Sequence, residues 1–194
     1  MKRNFIIIGV LVVFALLGCK DDNYDSGDGK YSYIKADFVE AHTVSAKEIN
    51  YVITDDGDSL ALSPHVSADW AVKSDSDYRA LLYYYNNVDN NTTTTYSISR
   101  VPVVAYHPQS DFKEIHTDPV NFESAWLSTN RKYLNIGFYV KTGQQDGSTN
   151  SQVISMINDG VVVRSDGTNE LCLRMYHDQN GVPEYYSTKG YISI

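Results

Sequence analysis

Five histidines, two cysteines and 16 tyrosines are the residues of this 194-residue chain from which chemistry could be built. The histidines are His42, His65, His107, His116 and His177. No two of them have the spacing of metal ligands on one strand or helix, and His-Glu-x-x-His is absent. Distant histidines can still converge in a fold, but spacing predicts no metal site and no cofactor. Nucleophilic catalysis has no better support: there is no Gly-x-Ser-x-Gly elbow and no pairing of Cys with His. Cys172 sits in an alternating apolar run, where a thiol is usually buried and inert. The 24 acidic residues could supply paired carboxylates, but glycosidase chemistry needs two across a cleft, which spacing cannot show. No catalytic constellation emerges, and the expectation is a protein that is not an enzyme.

Tyrosine is the stronger lead. Tyr83-Tyr84-Tyr85 follows Leu81-Leu82, and Tyr185-Tyr186 follows closely on Pro183. In a strand Tyr83 and Tyr85 share one face and Tyr84 takes the other, so at least one is expected to face outward. An exposed tyrosine offers a rigid apolar plate with a polar tip, suited to sugar or protein contacts. The competing reading is that tyrosines fill β-cores, as strand propensity favours; Trp70 and Trp126 are expected to do so. Asp58-Ser59-Leu60 resembles a short O-glycosylation acceptor, which makes Ser59 a candidate modification site.

The surrounding composition limits the partners. The formal net charge is −8, which argues against nucleic acid, since phosphate binding needs a basic face. Hydrophobic residues make up 42% of the chain, enough to bury a core. Lys2 and Arg3 precede an uncharged run of 13 residues, Phe5 to Leu17. That run fits a secretory signal and falls short of the roughly 20 apolar residues a spanning helix needs. It ends in Leu16-Leu17-Gly18-Cys19, which resembles a bacterial lipobox. The reading is a lipoprotein signal peptide over residues 1–18, cleavage before Cys19, and acylation of Cys19. Several acyl chains anchor stably where one binds only marginally. The membrane is therefore one expected partner, through Cys19.

Residues 19–30 are rich in Asp, Asn, Gly and Ser, and read as an acidic flexible tether. Beyond Tyr31 the pattern alternates with period two and shows almost no helical period. Ile49, Tyr51 and Ile53 alternate with Glu48, Asn50 and Val52; Asp55-Asp56-Gly57-Asp58 is a hairpin turn before Leu60 and Leu62. With Tyr31–Ala41, Tyr78–Val88 and Thr93–Tyr106, that gives five strands. The count fits an OB-like five-stranded barrel over 31–108. Pro108 and the polar run to Pro119 place a boundary there. Residues 109–194 form a second all-β set. Leu134, Ile136, Phe138 and Val140 share a face, and Leu171, Leu173 and Met175 oppose Cys172, Arg174 and Tyr176. Asp146-Gly147, Asp159-Gly160, Asp166-Gly167 and Asn180-Gly181 punctuate the strands. This predicts a small immunoglobulin-like β-sandwich that ends in a strand through Gly190-Tyr191-Ile192.

Taken in order, these features resemble one family. They are the lipobox and acidic tether, the hairpin in Tyr51-Val-Ile-Thr-Asp-Asp-Gly-Asp-Ser-Leu60, then Asp118-Pro119-Val120, Trp126 and Tyr133-Leu134-Asn135-Ile136, and the terminal Gly-Tyr strand. The chain resembles the NigD-like lipoproteins of Bacteroidetes. The resemblance implies an N-terminal OB-like domain and a C-terminal β-sandwich. It implies no catalytic residues. The family is named from a bacteriocin gene cluster, where an immunity role has been supposed, so an envelope protein is the expected partner. A glycan is the alternative, suggested by the tyrosines. Lys20-Asp21-Asp22 after Cys19 resembles the surface-export signal of such lipoproteins, which points to the outer membrane and its exposed face. The Asn-Asn-Thr-Thr-Thr-Thr insertion at 90–95 and the long 143–151 loop depart from the family pattern.

Overall fold

The computed structural model describes residues 34–87 and 92–194. The segments expected as signal peptide and tether, with Cys19 and Lys20-Asp21-Asp22, lie outside the described residues.

Five strands close into a barrel: β1 (Lys35–Ser45), β2 (Glu48–Thr54), β3 (Ser59–Ser67), β4 (Ser76–Asn87) and β5 (Thr92–Arg100). Their order around the barrel is β1-β2-β3-β5-β4, with β1 pairing both β2 and β4. The β3–β5 contact is parallel, through Leu62 and Thr93, and the other pairs are antiparallel. This closure is the OB-like arrangement, and it leaves no open sheet edge. Val39, Ala41, Ile49, Val52, Leu62, Ala80, Leu82 and Tyr84 fill the interior. The Asp55–Asp58 turn joins β2 to β3, with Gly57 N–H donating to the Thr54 carbonyl at 2.9 Å.

The alternation read along β2 is not the one observed. Ile49 and Val52 are both fully buried, and Ile53 is exposed. A register shift between His42 and Thr43 leaves Asn50 as an extra residue of β2 against β1, and such a bulge flips every later side chain to the other face.

The second half is a sandwich of two three-stranded sheets. One contains β7 (Asn121–Leu127), β8 (Leu134–Thr142) and β11 (Tyr186–Ser193), in the order β11-β8-β7. The other contains β6 (Tyr106–Pro108), β9 (Val153–Val163) and β10 (Asn169–Asp178), in the order β10-β9-β6. Ile136, Phe138, Val140, Met156 and Ile192 form its core. The barrel ends at Arg100, and β6 pairs with β9. The sandwich therefore begins ahead of the 108/109 boundary expected from Pro108. The run expected as one strand, Thr93–Tyr106, divides into β5 and β6 around Pro102, where the chain passes from one sheet system to the other.

Barrel and sandwich belong to one compact unit, Lys35–Ile194. A buried polar clamp joins them. Arg79 on β4 has a fully buried side chain, yet it lies on the outer face of the barrel. Its Nη1 and Nη2 donate to the two carboxylate oxygens of Asp55 at 2.6 and 2.7 Å. Nη2 also donates to Asn135 Oδ1 at 3.1 Å, and Nε donates to Ser193 Oγ at 3.2 Å. Ser193 Oγ in turn donates to Asn135 Oδ1 at 2.7 Å. The guanidinium stacks over the Tyr133 ring, 4.2 Å from its centre. Nearby, Phe38 of the barrel meets Trp126 and Tyr191 of the sandwich edge-on at 5.2 and 5.3 Å. Glu40 accepts from Lys132 Nζ and from Tyr133 Oη. Five of the family-resembling residues (Asp55, Trp126, Tyr133, Asn135 and Tyr191) thus sit at this junction.

Candidate functional site

The tyrosines do not assemble into one binding face. Tyr84 is in the barrel interior, where its hydroxyl donates to Asp37 Oδ2 at 2.6 Å. Burial, and then the Asp37 carboxylate, push that hydroxyl far above the ordinary tyrosine range. Tyr84 is thus a core residue and not a ligand contact. Its neighbour Tyr83 is exposed on the outer face, and Tyr85 is half-buried. Tyr185 and Tyr186 are exposed at the start of β11 in the other domain. The Tyr185 ring lies on Gly143, where an added Cβ would stand 2.7 Å from a ring carbon. Ser59 is exposed at the first position of β3. Trp70 packs against the barrel core, while Trp126 is half-buried at the junction.

The most unusual surface is the outer half of the β9–β10 hairpin. Pairing with β6 stops at Asn158, whereas β9 runs on to Val163. Beyond that point the hairpin is a two-stranded ribbon with no third strand beside it among the described residues. Val161, Val162 and Val163 are 58%, 44% and 71% exposed, and Leu171, opposite Val161, is 44% exposed. Three consecutive apolar side chains in a strand occupy both faces, so the ribbon is apolar on each side. Apolar surface of this kind commonly marks a contact site for another protein.

A bare two-stranded ribbon is marginal in water, and this one is braced at both ends. At its base Gly160 adopts φ of +106°, where the pairing shifts by one residue opposite Cys172 and Leu173. The Asp159-Gly160 pair, read from sequence as a turn, is therefore a bulge within β9; the glycine supplies the backbone angle a bulge requires. Arg174 grips Asp159 with two bonds of 2.8 Å, and this holds the Asp159 carboxyl below the usual carboxylate range. At the tip the Asp166-Gly167 turn is closed by Arg164 N–H donating to the Thr168 carbonyl at 2.8 Å, and Asp166 accepts from Thr168 N–H at 2.9 Å. Arg164 and Glu170 pair across the tip. Away from its bridge to Thr117, the outer edge of β10 has no strand beside it among the described residues, and it could add a strand from a partner.

A second concavity lies where the barrel hands over to the sandwich. It has a volume of about 590 Å³ and is lined by Val101, Val104, Phe138 and Ile154, with Arg100 and Lys189 polar at its edge. None of the sequence-predicted tyrosines lines it.

Residues 102–194 match the family model of the NigD-like C-terminal β-sandwich domain. The sandwich is a NigD-like C-terminal domain. Among solved structures, the chain is similar to a NigD-like immunity protein from Bacteroides caccae, at 25% identity and a TM-score of 0.63. The alignment covers 82% of this chain and 74% of that one. It takes in the barrel, since the NigD-like sandwich alone is less than half of the chain. A putative toxin-related protein from Parabacteroides distasonis shares the fold at 19% identity and a TM-score of 0.55, covering 82% and 76% of the two chains. A protein of unknown function from Bacteroides vulgatus does so at 16% identity and 0.59, covering 82% and 74%. No curated protein matches the chain.

The sequence reading did not single out the hairpin. Its signal was present: Val161-Val162-Val163 breaks the alternation shown by the rest of the sandwich, within a few residues of Asp166-Gly167.

Proposed function

We infer that this NigD-like protein is a lipid-anchored, non-catalytic binding protein of the bacterial envelope, and that it engages a protein partner through the β9–β10 hairpin. The observation that carries this reading is the braced ribbon with valines exposed on both faces. The similarity to a NigD-like immunity protein supports a protein partner over a small molecule and makes bacteriocin immunity the leading role. The lipobox at Cys19 supports the anchor, and Lys20-Asp21-Asp22 supports the outer face of the outer membrane. Glycan binding is the weaker reading, because Tyr84 is internal and the exposed tyrosines are divided between two domains.

The test is affinity capture from cross-linked intact cells with the tagged full chain and with its Val161→Ser/Val163→Ser variant. One stoichiometric protein enriched by the parent and lost with the variant supports the reading. Equal enrichment by both, or enrichment of glycan alone, overturns it. Protection from protease added to intact cells would overturn the surface location.

A further inference from the structure

Two strand-like segments lie side by side at the foot of β10. Thr117 forms a parallel bridge with His177, and the backbone bonds on either side are Asp118 N–H to the His177 carbonyl at 3.0 Å and His177 N–H to the His116 carbonyl at 3.1 Å. Alternation then sorts the side chains. Thr117 and His177 point one way; His116, Asp118 and Asp178 point the other. The donor atoms of those three residues all lie within 4.8 Å of one another, and each residue is half-buried.

The separations suit ligands better than hydrogen bonds. His116 Nδ1 is 3.9 Å from Asp178 Oδ1, and His116 Nε2 is 3.7 Å from Glu114 Oε2. Both are too long for hydrogen bonds. Two ligands on one tetrahedral Zn²⁺, each about 2.1 Å from it, stand about 3.4 Å apart. The three donors, all within 4.8 Å of one another, reach that separation with side-chain shifts of no more than about 1 Å. Asp118 Oδ2 accepts from Gln179 N–H at 2.6 Å and Asp178 Oδ1 accepts from Asn180 N–H at 2.7 Å, so the backbone orients each carboxylate and leaves it lone pairs for a cation. Fully buried His177 sets its Nδ1 3.1 Å from the Asp118 carbonyl and fixes the backbone from behind.

We propose that His116, Asp118 and Asp178 bind one divalent cation of the Zn²⁺ class. One imidazole with two carboxylates suits a first-row transition ion over Ca²⁺ or Mg²⁺, which prefer all-oxygen shells. The remaining position falls to water, since Glu114 faces the other ring nitrogen of His116, Nε2. The ion ties the segment ahead of β7 to the end of β10, at the opposite end of that strand from the valine ribbon.

The experiment is calorimetric titration of Zn²⁺ into the chelator-treated full chain in detergent, with Co²⁺ absorption as a second readout. The expected result is one equivalent bound, a tetrahedral Co²⁺ spectrum, and a rise in Tm with Zn²⁺. Loss of a ligand should weaken binding by at least about tenfold in His116→Ala and in Asp178→Asn. His116→Gln serves as a milder third variant, and circular dichroism checks that each variant is folded. His42, which pairs with Asp77 at 2.9 Å and lies near Asp75, provides the control His42→Ala. Absence of saturable binding by the parent overturns the site. So does binding unchanged in the folded variants, or binding lost in His42→Ala instead.

Discussion

Replacing Asp55 with alanine should strip Arg79 of its only carboxylate partner among the described residues while leaving the guanidinium buried. Arg79 has no exposed side-chain surface, and Asp55 is 16% exposed, so solvent screens this pair weakly. The two bonds lost are bidentate and short, 2.6 and 2.7 Å. What remains is Asn135 Oδ1 at 3.1 Å, Ser193 Oγ at 3.2 Å and the Tyr133 and Phe38 rings, all neutral. Breaking a buried ion pair from one side typically costs about 3–5 kcal/mol, because the surviving charge lacks compensation. A domain has only about 5–15 kcal/mol of stability in total. At roughly 2–4 °C per kcal/mol for a chain of this size, Tm should fall by about 6–20 °C. Urea denaturation followed by tryptophan fluorescence reads the loss, since Trp70 packs on the barrel and Trp126 lies at the junction. Adding Arg79→Met should recover much of the deficit, because the double variant buries no charge. A loss under about 1 kcal/mol for Asp55→Ala, or additive losses in the double variant, would refute the clamp as a determinant of stability.

Two further outcomes follow from local geometry. Gly190→Ala places a Cβ 2.9 Å from the Phe138 ring, directly across the β8–β11 pair and inside the sandwich core. The expected cost is about 1–3 kcal/mol of strain, read by thermal melting; an unchanged melt would contradict that packing. The Asp159 brace gives a pH dependence. Arg174 lowers the folded-state pKa of Asp159, so its contribution is complete above the unfolded value of about 3.9 and is lost as pH falls through the lower folded value. Amide exchange in the 160–172 ribbon should therefore be slow at pH 5 and should rise selectively in stronger acid. Exchange rising equally across the β8–β11 pair would contradict a local brace.

Much of the fold was legible because β-structure writes itself in period two and in Asp-Gly turns. The Asp55–Asp58 hairpin and the Asp166-Gly167 tip are local features, set by backbone angles a few residues apart. What escaped depends on distant parts. Arg79 reads as a surface residue on an alternating strand, and only the docking of Asn135 and Ser193, 56 and 114 positions away, makes it buried. The bulges at Asn50 and Gly160 add one residue without changing composition, so Ile49 and Val52 share the interior and a presumed turn becomes mid-strand. His116, Asp118 and Asp178 were visible singly, but their convergence requires the parallel bridge between Thr117 and His177. The valine ribbon differs in kind, because its signal was local. Three successive valines look like a buried strand until β6 proves too short to cover them.

The most direct measurement places a photo-cross-linking residue at Val162 in the full chain on intact cells, with Val72 as an exposed position on the barrel for comparison. Illumination at position 162 should yield one discrete protein adduct, absent at position 72 and competed by excess unlabelled parent protein. Adducts of equal yield at both positions, or none at 162 while the protein remains folded and surface-displayed, would contradict the hairpin as the partner-binding surface.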